Sequence, residues 1–305
     1  MKNVFCVILS KYRIYQGIAL YRSLELHYPD FTMFILCVDD DAYRLCKGLN
    51  LEKAVLIRDD ELNDKRLKDA KKTRRLNEYC WTLKPFFISH VLNNYDYVEN
   101  AVSMDADIFF FNSPAPIFKH QGEYNVLLSE HNYLDKDMGV AAYCGTYNSG
   151  FIVFKRSIPT LELLHWWEEQ CIEWCFDTIG EGRFGDQKYL DYMEELFPGV
   201  KPITVPGVNI APWNEERFNF NARNQEIYVN DNKLIFYHFC GLRLLDNTTY
   251  ALVIGNQQIN GYVHLPYTRI LKQVISDIEE LSPGFDGFSI EEHFRNTARS
   301  YKLSS

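Results

Sequence analysis

The chain has 305 residues, 47% of them hydrophobic and 15% aromatic, which suits one large α/β domain with or without an extension. A formal net charge of -9 excludes a general nucleic-acid binder, since such domains carry a basic excess. The eight cysteines lie scattered in apolar segments with no CxxC pair. They read as buried free thiols of a reducing, cytoplasmic setting, and Met1 to Leu9 is too short and too weakly basic for a signal peptide.

In chain order, Val4 to Leu9 is a bounded apolar run of buried-strand length, and Gln16 to Leu26 carries apolar residues at helical spacing. Phe31 to Val38 is a second predicted strand, ending in Asp39-Asp40-Asp41. Strand, helix and strand with short links predict a parallel βαβ start, and ligands of such sheets collect at the carboxyl ends of strands. Lys65, Arg66, Lys68, Lys71, Lys72, Arg74 and Arg75 form a basic run in an acidic chain. It is either a solvated face or a surface facing an anionic donor, a lipid-linked acceptor or the membrane.

Trp81 to Leu92 reads as a helix with Pro85 near its first turn, where a missing N–H costs little. Ala101 to Met104 is a short strand stopping at Asp105-Ala106-Asp107, after which Ile108 to Phe111 continues apolar. Further strands are expected at Asn125 to Ser129, Gly150 to Phe154 and Leu234 to Phe239, with helices from Leu161 to about Phe176 and from Asp186 to Leu196. Trp166, Trp167 and Trp174 lie among apolar helix positions and read as core rather than as sugar-stacking surfaces. Arg269 to Leu281 shows one apolar helical face. The expected division is therefore a domain over residues 1–265 and a helical extension over 266–305 that packs upon it.

Aspartates at i and i+2 of an extended segment point to one side, so Asp105 and Asp107 can hold a hard divalent cation and leave positions open for phosphate oxygens. A solvated turn is the plainer alternative. His238, in Tyr237-His238-Phe239-Cys240-Gly241, is either a hydrogen-bonded core histidine or a third ligand, and Gly241 would let backbone approach a phosphate.

The order of the strand and helix Val4 to Pro29, Trp81-Thr82-Leu83-Lys84-Pro85, Asp105-Ala106-Asp107, Tyr147-Asn148-Ser149-Gly150-Phe151, Gly185-Asp186-Gln187, Asn209 to Asn214 and His238-Phe239-Cys240-Gly241 resembles glycosyltransferase family 8 and its nucleotide-diphospho-sugar transferase relatives. The resemblance implies a GT-A (Rossmann-like) fold: a mixed, mainly parallel sheet flanked by helices. It also implies transfer of a hexosyl group, with retention, from a nucleotide-sugar donor, UDP-sugar favoured, to a carbohydrate or glycolipid acceptor. Asp105, Asp107 and His238 would ligate Mn2+ or Mg2+, and Asp186 and Gln187 would lie at the transferred sugar. Lys84, Asp105, Ala106, Asn148, Ser149, Gly150, Gly241 and Arg243 would bind the donor. Asp186 also fits a helix N-cap, Asn148 to Gly150 a tight turn and Lys84 a solvated lysine. Ser10-Lys11-Tyr12-Arg13 departs from the acidic or amide residues with which the family reads uridine, and Arg243 stands near the place of its usual phosphate-binding lysine. A sugar nucleotidyltransferase is disfavoured because Leu9 to Tyr15 contains no glycine; a non-catalytic sugar-binding module remains the other alternative.

Overall fold

In the computed structural model, residues 2–254, 258–288 and 299–303 are described. The buried run β1 (Asn3–Leu9) leads into α1 (Ile14–His27) and β2 (Thr32–Cys37), followed by α2 (Asp40–Gly48) and β3 (Ala54–Arg58). Next come α3 (Lys65–Thr73), α4 (Leu76–Asn94), β4 (Asn100–Met104), β5 (Ile108–Phe110), α5 (Ala115–Gln121), β6 (Val126–Glu130), α6 (Met138–Cys144) and β7 (Tyr147–Lys155). The chain continues through α7 (Ile158–Glu173), α8 (Leu190–Leu196), β8 (Val200–Pro202) and the hairpin strands β9 (Phe220–Arg223), β10 (Glu226–Val229) and β11 (Asn232–Lys233). It then forms β12 (Phe236–His238), β13 (Leu242–Leu244), β14 (Thr249–Leu252), α9 (Gly261–Leu281) and β15 (Arg299–Lys302).

The main sheet has the order β3-β2-β1-β4-β7-β6-β8. Strands β3, β2, β1 and β4 run parallel, β7 is antiparallel to both β4 and β6, and β8 is parallel to β6. The sheet is therefore mixed and mainly parallel, flanked by helices. Its two faces are both apolar, as the period of two requires when both are covered. Phe5, Val7 and Leu9 pack with α1 and with Val263, Leu271 and Val274 of α9 on one side, while Val4 and Cys6 pack with Leu83, Phe87 and Trp167 of α4 and α7 on the other.

Several boundaries differ from expectation for physical reasons. Helix α4 begins before Trp81, because the Arg75 N–H is satisfied by Glu78 Oε2 at 2.9 Å, so Pro85 sits in the helix interior. Helix α7 starts at Ile158, with the Ser157 hydroxyl accepting from the Thr160 N–H and Pro159 in the first turn. Asp186 is not an N-cap: α8 begins only at Leu190, and 186–189 form turns. Helix α9 starts at Gly261, ahead of residue 266, and β15 returns to pair with β14. Among the described residues, no helix is long and apolar enough to cross a membrane.

Candidate active site

The site forms where β4 ends. Met104 pairs with Val7 of β1 and Phe151 of β7, and the chain then turns at Asp105-Ala106-Asp107, with the Ile108 N–H donating to the Asp105 carbonyl at 3.3 Å. The two carboxylates share a side because of this turn, and the extended-segment explanation does not hold. After the turn, β5 pairs with β12, setting Ile108 opposite His238. A residue far along the chain is thus delivered to the aspartates by strand register.

His238 is buried, with Nε2 lying 3.0 Å from Asp107 Oδ1 and 3.9 Å from Asp105 Oδ2. One atom from each of Asp105, Asp107 and His238 falls within 4.8 Å of the others. Two carboxylate oxygens and an imidazole nitrogen form a donor set suited to Mn2+ or Mg2+ with room for phosphate oxygens. Gly150 makes this packing possible: a Cβ there would stand 2.5 Å from His238 Cε1 and 2.7 Å from Asn148 Oδ1. Burial opposes the Asp107 carboxylate, but His238, Arg13 and Arg243 outweigh it and hold its pKa well below the usual carboxylate range.

Lys84 is 5% exposed, so the solvated reading fails. Its ammonium lies 2.8 Å from Asp105 Oδ1 and 3.2 Å from Asp186 Oδ2, and it donates to Ser149 Oγ at 3.0 Å. Burial disfavours that charge, yet Asp105 and Asp186 together keep its pKa above the ordinary lysine value. At Asp186 burial dominates and raises the pKa, with Lys84 opposing it. The Asp186 carbonyl accepts from the Trp167 Nε1–H at 3.0 Å, so a core tryptophan fixes the segment.

The Gln187 amide is held at both ends. Its Nε2 donates to the Cys144 carbonyl at 2.7 Å, while Oε1 accepts from Asn148 Nδ2 at 3.0 Å and the Ser149 N–H at 3.3 Å. Asn148 also meets His131 Nε2 at 3.3 Å. Gly241 has φ +86° and turns the chain after Cys240, but Ile254 carbons occupy the place of its Cβ. Arg243 Nη1 donates to the Leu242 carbonyl at 2.9 Å.

The sequence pattern singles out neither His131 nor Gln16, and it includes Trp213 only within the segment Asn209 to Asn214. His131 follows the end of β6, stacks on Tyr133 with centroids 4.5 Å apart, and has its pKa pushed down to about 4 by burial. Its place just past a strand was the available signal. Trp213 sets its edge against His238 with centroids 5.2 Å apart. Gln16 reads as an ordinary helix position, and nothing local distinguishes it. Next to His131, Glu130, Asn132, Tyr133, Ile210 and Arg217 help line a cleft of about 610 Å³ that includes none of the aspartate–histidine cluster.

The basic run is largely internally paired. Arg66 reaches Asp64 and Glu169, Lys71 reaches Asp59, Lys72 reaches Asp69, Arg74 reaches Thr82 and the Ile172 carbonyl, and Arg75 reaches Glu78 and Asp177.

Residues 32–195 match the family model described as nucleotide-diphospho-sugar transferase. The chain belongs to that family. It is 39% identical over 301 residues to the uncharacterized protein YfnF of Bacillus subtilis (strain 168), covering 96% of this chain and 99% of that one. The uncharacterized protein YfnD of the same organism is 33% identical over 291 residues, covering 93% and 94%. Among solved structures, the galactosyltransferase LgtC in complex with donor and acceptor sugar analogs gives a TM-score of 0.53 at 12% identity, covering 96% of this chain and 99% of that one. The fold is GT-A, and the chain is a glycosyltransferase enzyme, in keeping with the resemblance to family 8.

Proposed function

We propose that this enzyme is a metal-dependent, retaining hexosyltransferase that uses a nucleoside-diphosphate sugar, UDP-sugar first among those to test, and a carbohydrate hydroxyl, free or lipid-linked, as acceptor. The observation that carries the reading is the convergence of Asp105, Asp107 and His238 beside the buried Lys84–Asp186 pair. A bound Mn2+ or Mg2+ supplies Lewis-acid stabilisation of charge on the departing diphosphate. Lys84 orients Asp105 and Asp186 through its ammonium and offsets part of the burial that raises the Asp186 pKa. Asp186, held by Trp167, is placed to hold sugar hydroxyls, and Gln187 fixes the Asn148-Ser149 segment under the sugar. Asp105, Asp107 and Asp186 are committed to the cluster or to Lys84, and their engagement favours entry of the acceptor on the leaving-group face.

The cleft beside His131 offers room for the acceptor. The paired basic run favours a solvated face there over membrane contact, and the eight free cysteines favour a cytoplasmic setting. The test is transfer and donor hydrolysis with manganese or with chelator. Asp107→Asn should lower turnover at least about a hundredfold, and an α-linked donor should give an α-linked product by NMR anomeric coupling. Full activity of Asp107→Asn would overturn the metal assignment, and a β-linked product would overturn retention.

A further inference from the structure

Arg13 and Arg243 are brought together by one buried glutamine. Gln16 is 0% exposed; its Oε1 accepts from Arg13 Nη1 at 2.7 Å, and its Nε2 reaches the Leu242 carbonyl at 3.4 Å. The same carbonyl accepts from Arg243 Nη1 at 2.9 Å. A hydrogen-bonded chain therefore runs from one guanidinium through Gln16 and Leu242 to the other, joining the β1–α1 loop to β13. Arg22, Arg58, Arg66, Arg156 and Arg217 all reach carboxylates. Among the described residues, neither Arg13 nor Arg243 makes an ion pair. Both are half-buried: Arg13 lies in the loop after the end of β1, and Arg243 lies in β13, the strand that follows His238 and Gly241. Setting two partly desolvated like charges together costs free energy unless an anion joins them. The guanidinium fork is matched to phosphate oxygens, two of which can be bridged at once.

We propose that Arg13 and Arg243, aligned by Gln16, form a clamp for the donor's diphosphate, so that the site binds a diphosphate even without a divalent cation. This rests on the nucleotide-sugar reading and adds to it Arg13 as a binding residue and Gln16 as a positioning residue. It also accounts for the departure at Ser10 to Arg13: this loop grips phosphate where a uridine-reading loop would offer acids or amides.

The experiment is calorimetry of inorganic pyrophosphate against the full chain in excess chelator. Wild type should bind, and Arg13→Gln and Arg243→Gln should each lose about tenfold or more in affinity. Arg13→Lys should recover only part of it, because a point charge lacks the fork. Gln16→Ala, with both arginines intact, should also weaken binding, whereas Lys68→Gln, an exposed charge elsewhere, should not. No measurable binding by wild type in chelator, or unchanged affinity in the folded Arg13→Lys and Arg13→Gln proteins, overturns the clamp. These readouts need no turnover, so a failed transferase assay with arginine-dependent pyrophosphate binding would refute the reaction and leave the clamp standing.

Discussion

At the scale of single residues, the centre depends on one missing side chain as much as on those present. Gly150 makes way for the His238 ring, and its N–H donates to Asn148 Oδ1 at 3.1 Å. One methyl group there would push His238 from the aspartates or Asn148 from Gln187, since Cβ contacts near 2.5 Å do not occur without movement. Displacing a group that orients a ligand costs about 10–100-fold in metal affinity. Gly150→Ala is accordingly expected to weaken manganese-assisted nucleotide binding about tenfold or more, close to the loss in His238→Ala. His120→Ala, whose ring sits by Pro202 and Thr204, serves as the control. Wild-type affinity in Gly150→Ala would show that the histidine does not need its present place. The sequence showed Asn148-Ser149-Gly150 as a motif but not why glycine stands in it, because the ring that fills its space comes from residue 238.

At the scale of elements, strand ends carry the chemistry and helices hold them in place. Helix α9 buries Val263, Tyr267, Leu271, Val274, Ile275 and Ile278, and Tyr267 stacks on Phe239 with centroids 3.8 Å apart and planes 16° apart. Phe239 follows His238 and donates its N–H to the Asp107 carbonyl at 2.7 Å, so α9 braces the Asp107–His238 side of the site. Leu271 is fully buried, and truncating such a leucine costs about 2–5 kcal/mol. Leu271→Ala should show a loss of that size in urea unfolding, with weaker manganese-dependent nucleotide binding near the midpoint; a change under about 0.5 kcal/mol, typical of a surface site, would mean that α9 is only peripheral. The apolar face of 269–281 was legible from period alone, as was the βαβ start, because both are repeated local patterns. The antiparallel β4–β7 pairing and the β5–β12 pairing that carries His238 were not, since register between distant strands leaves no local trace. Aspartate spacing signalled the metal motif, yet the backbone that presents it is a turn.

At the scale of the whole molecule, buried histidines tie the fold to pH. His131 is 4% exposed and His264 is 0% exposed, and burial pushes both pKa values down from 6.5 to about 4. Burial also lowers the pKa of His27 and His90. Between those values the unfolded chain binds protons that the folded chain refuses, so stability is full above pH 6.5 and is lost as pH falls toward 4. Each such histidine contributes a slope of about 1.4 kcal/mol per pH unit inside that window. Carboxylates with depressed pKa, such as Asp107, lose their contribution only below the ordinary aspartate value of 3.8, while Asp186, Glu168 and Glu215, raised by burial, act in the opposite sense and offset part of the histidine effect. Urea-unfolding free energies are therefore expected to fall from pH 7.5 to pH 5, and His264→Gln should make the fall shallower; equal free energies at the two pH values would refute the linkage. The same titration reaches the site through His131, whose partners assign the neutral tautomer: Nδ1–H donates to the Thr146 carbonyl at 3.2 Å, and Nε2 accepts from Asn148 Nδ2. A proton on Nε2 would set two donors face to face and free Asn148 from its place beside Gln187. Turnover should then decline as pH approaches 4, where His131 of the folded protein takes up its proton, and it should do so before nucleotide affinity falls, because Asn148 touches neither Arg13 nor Arg243.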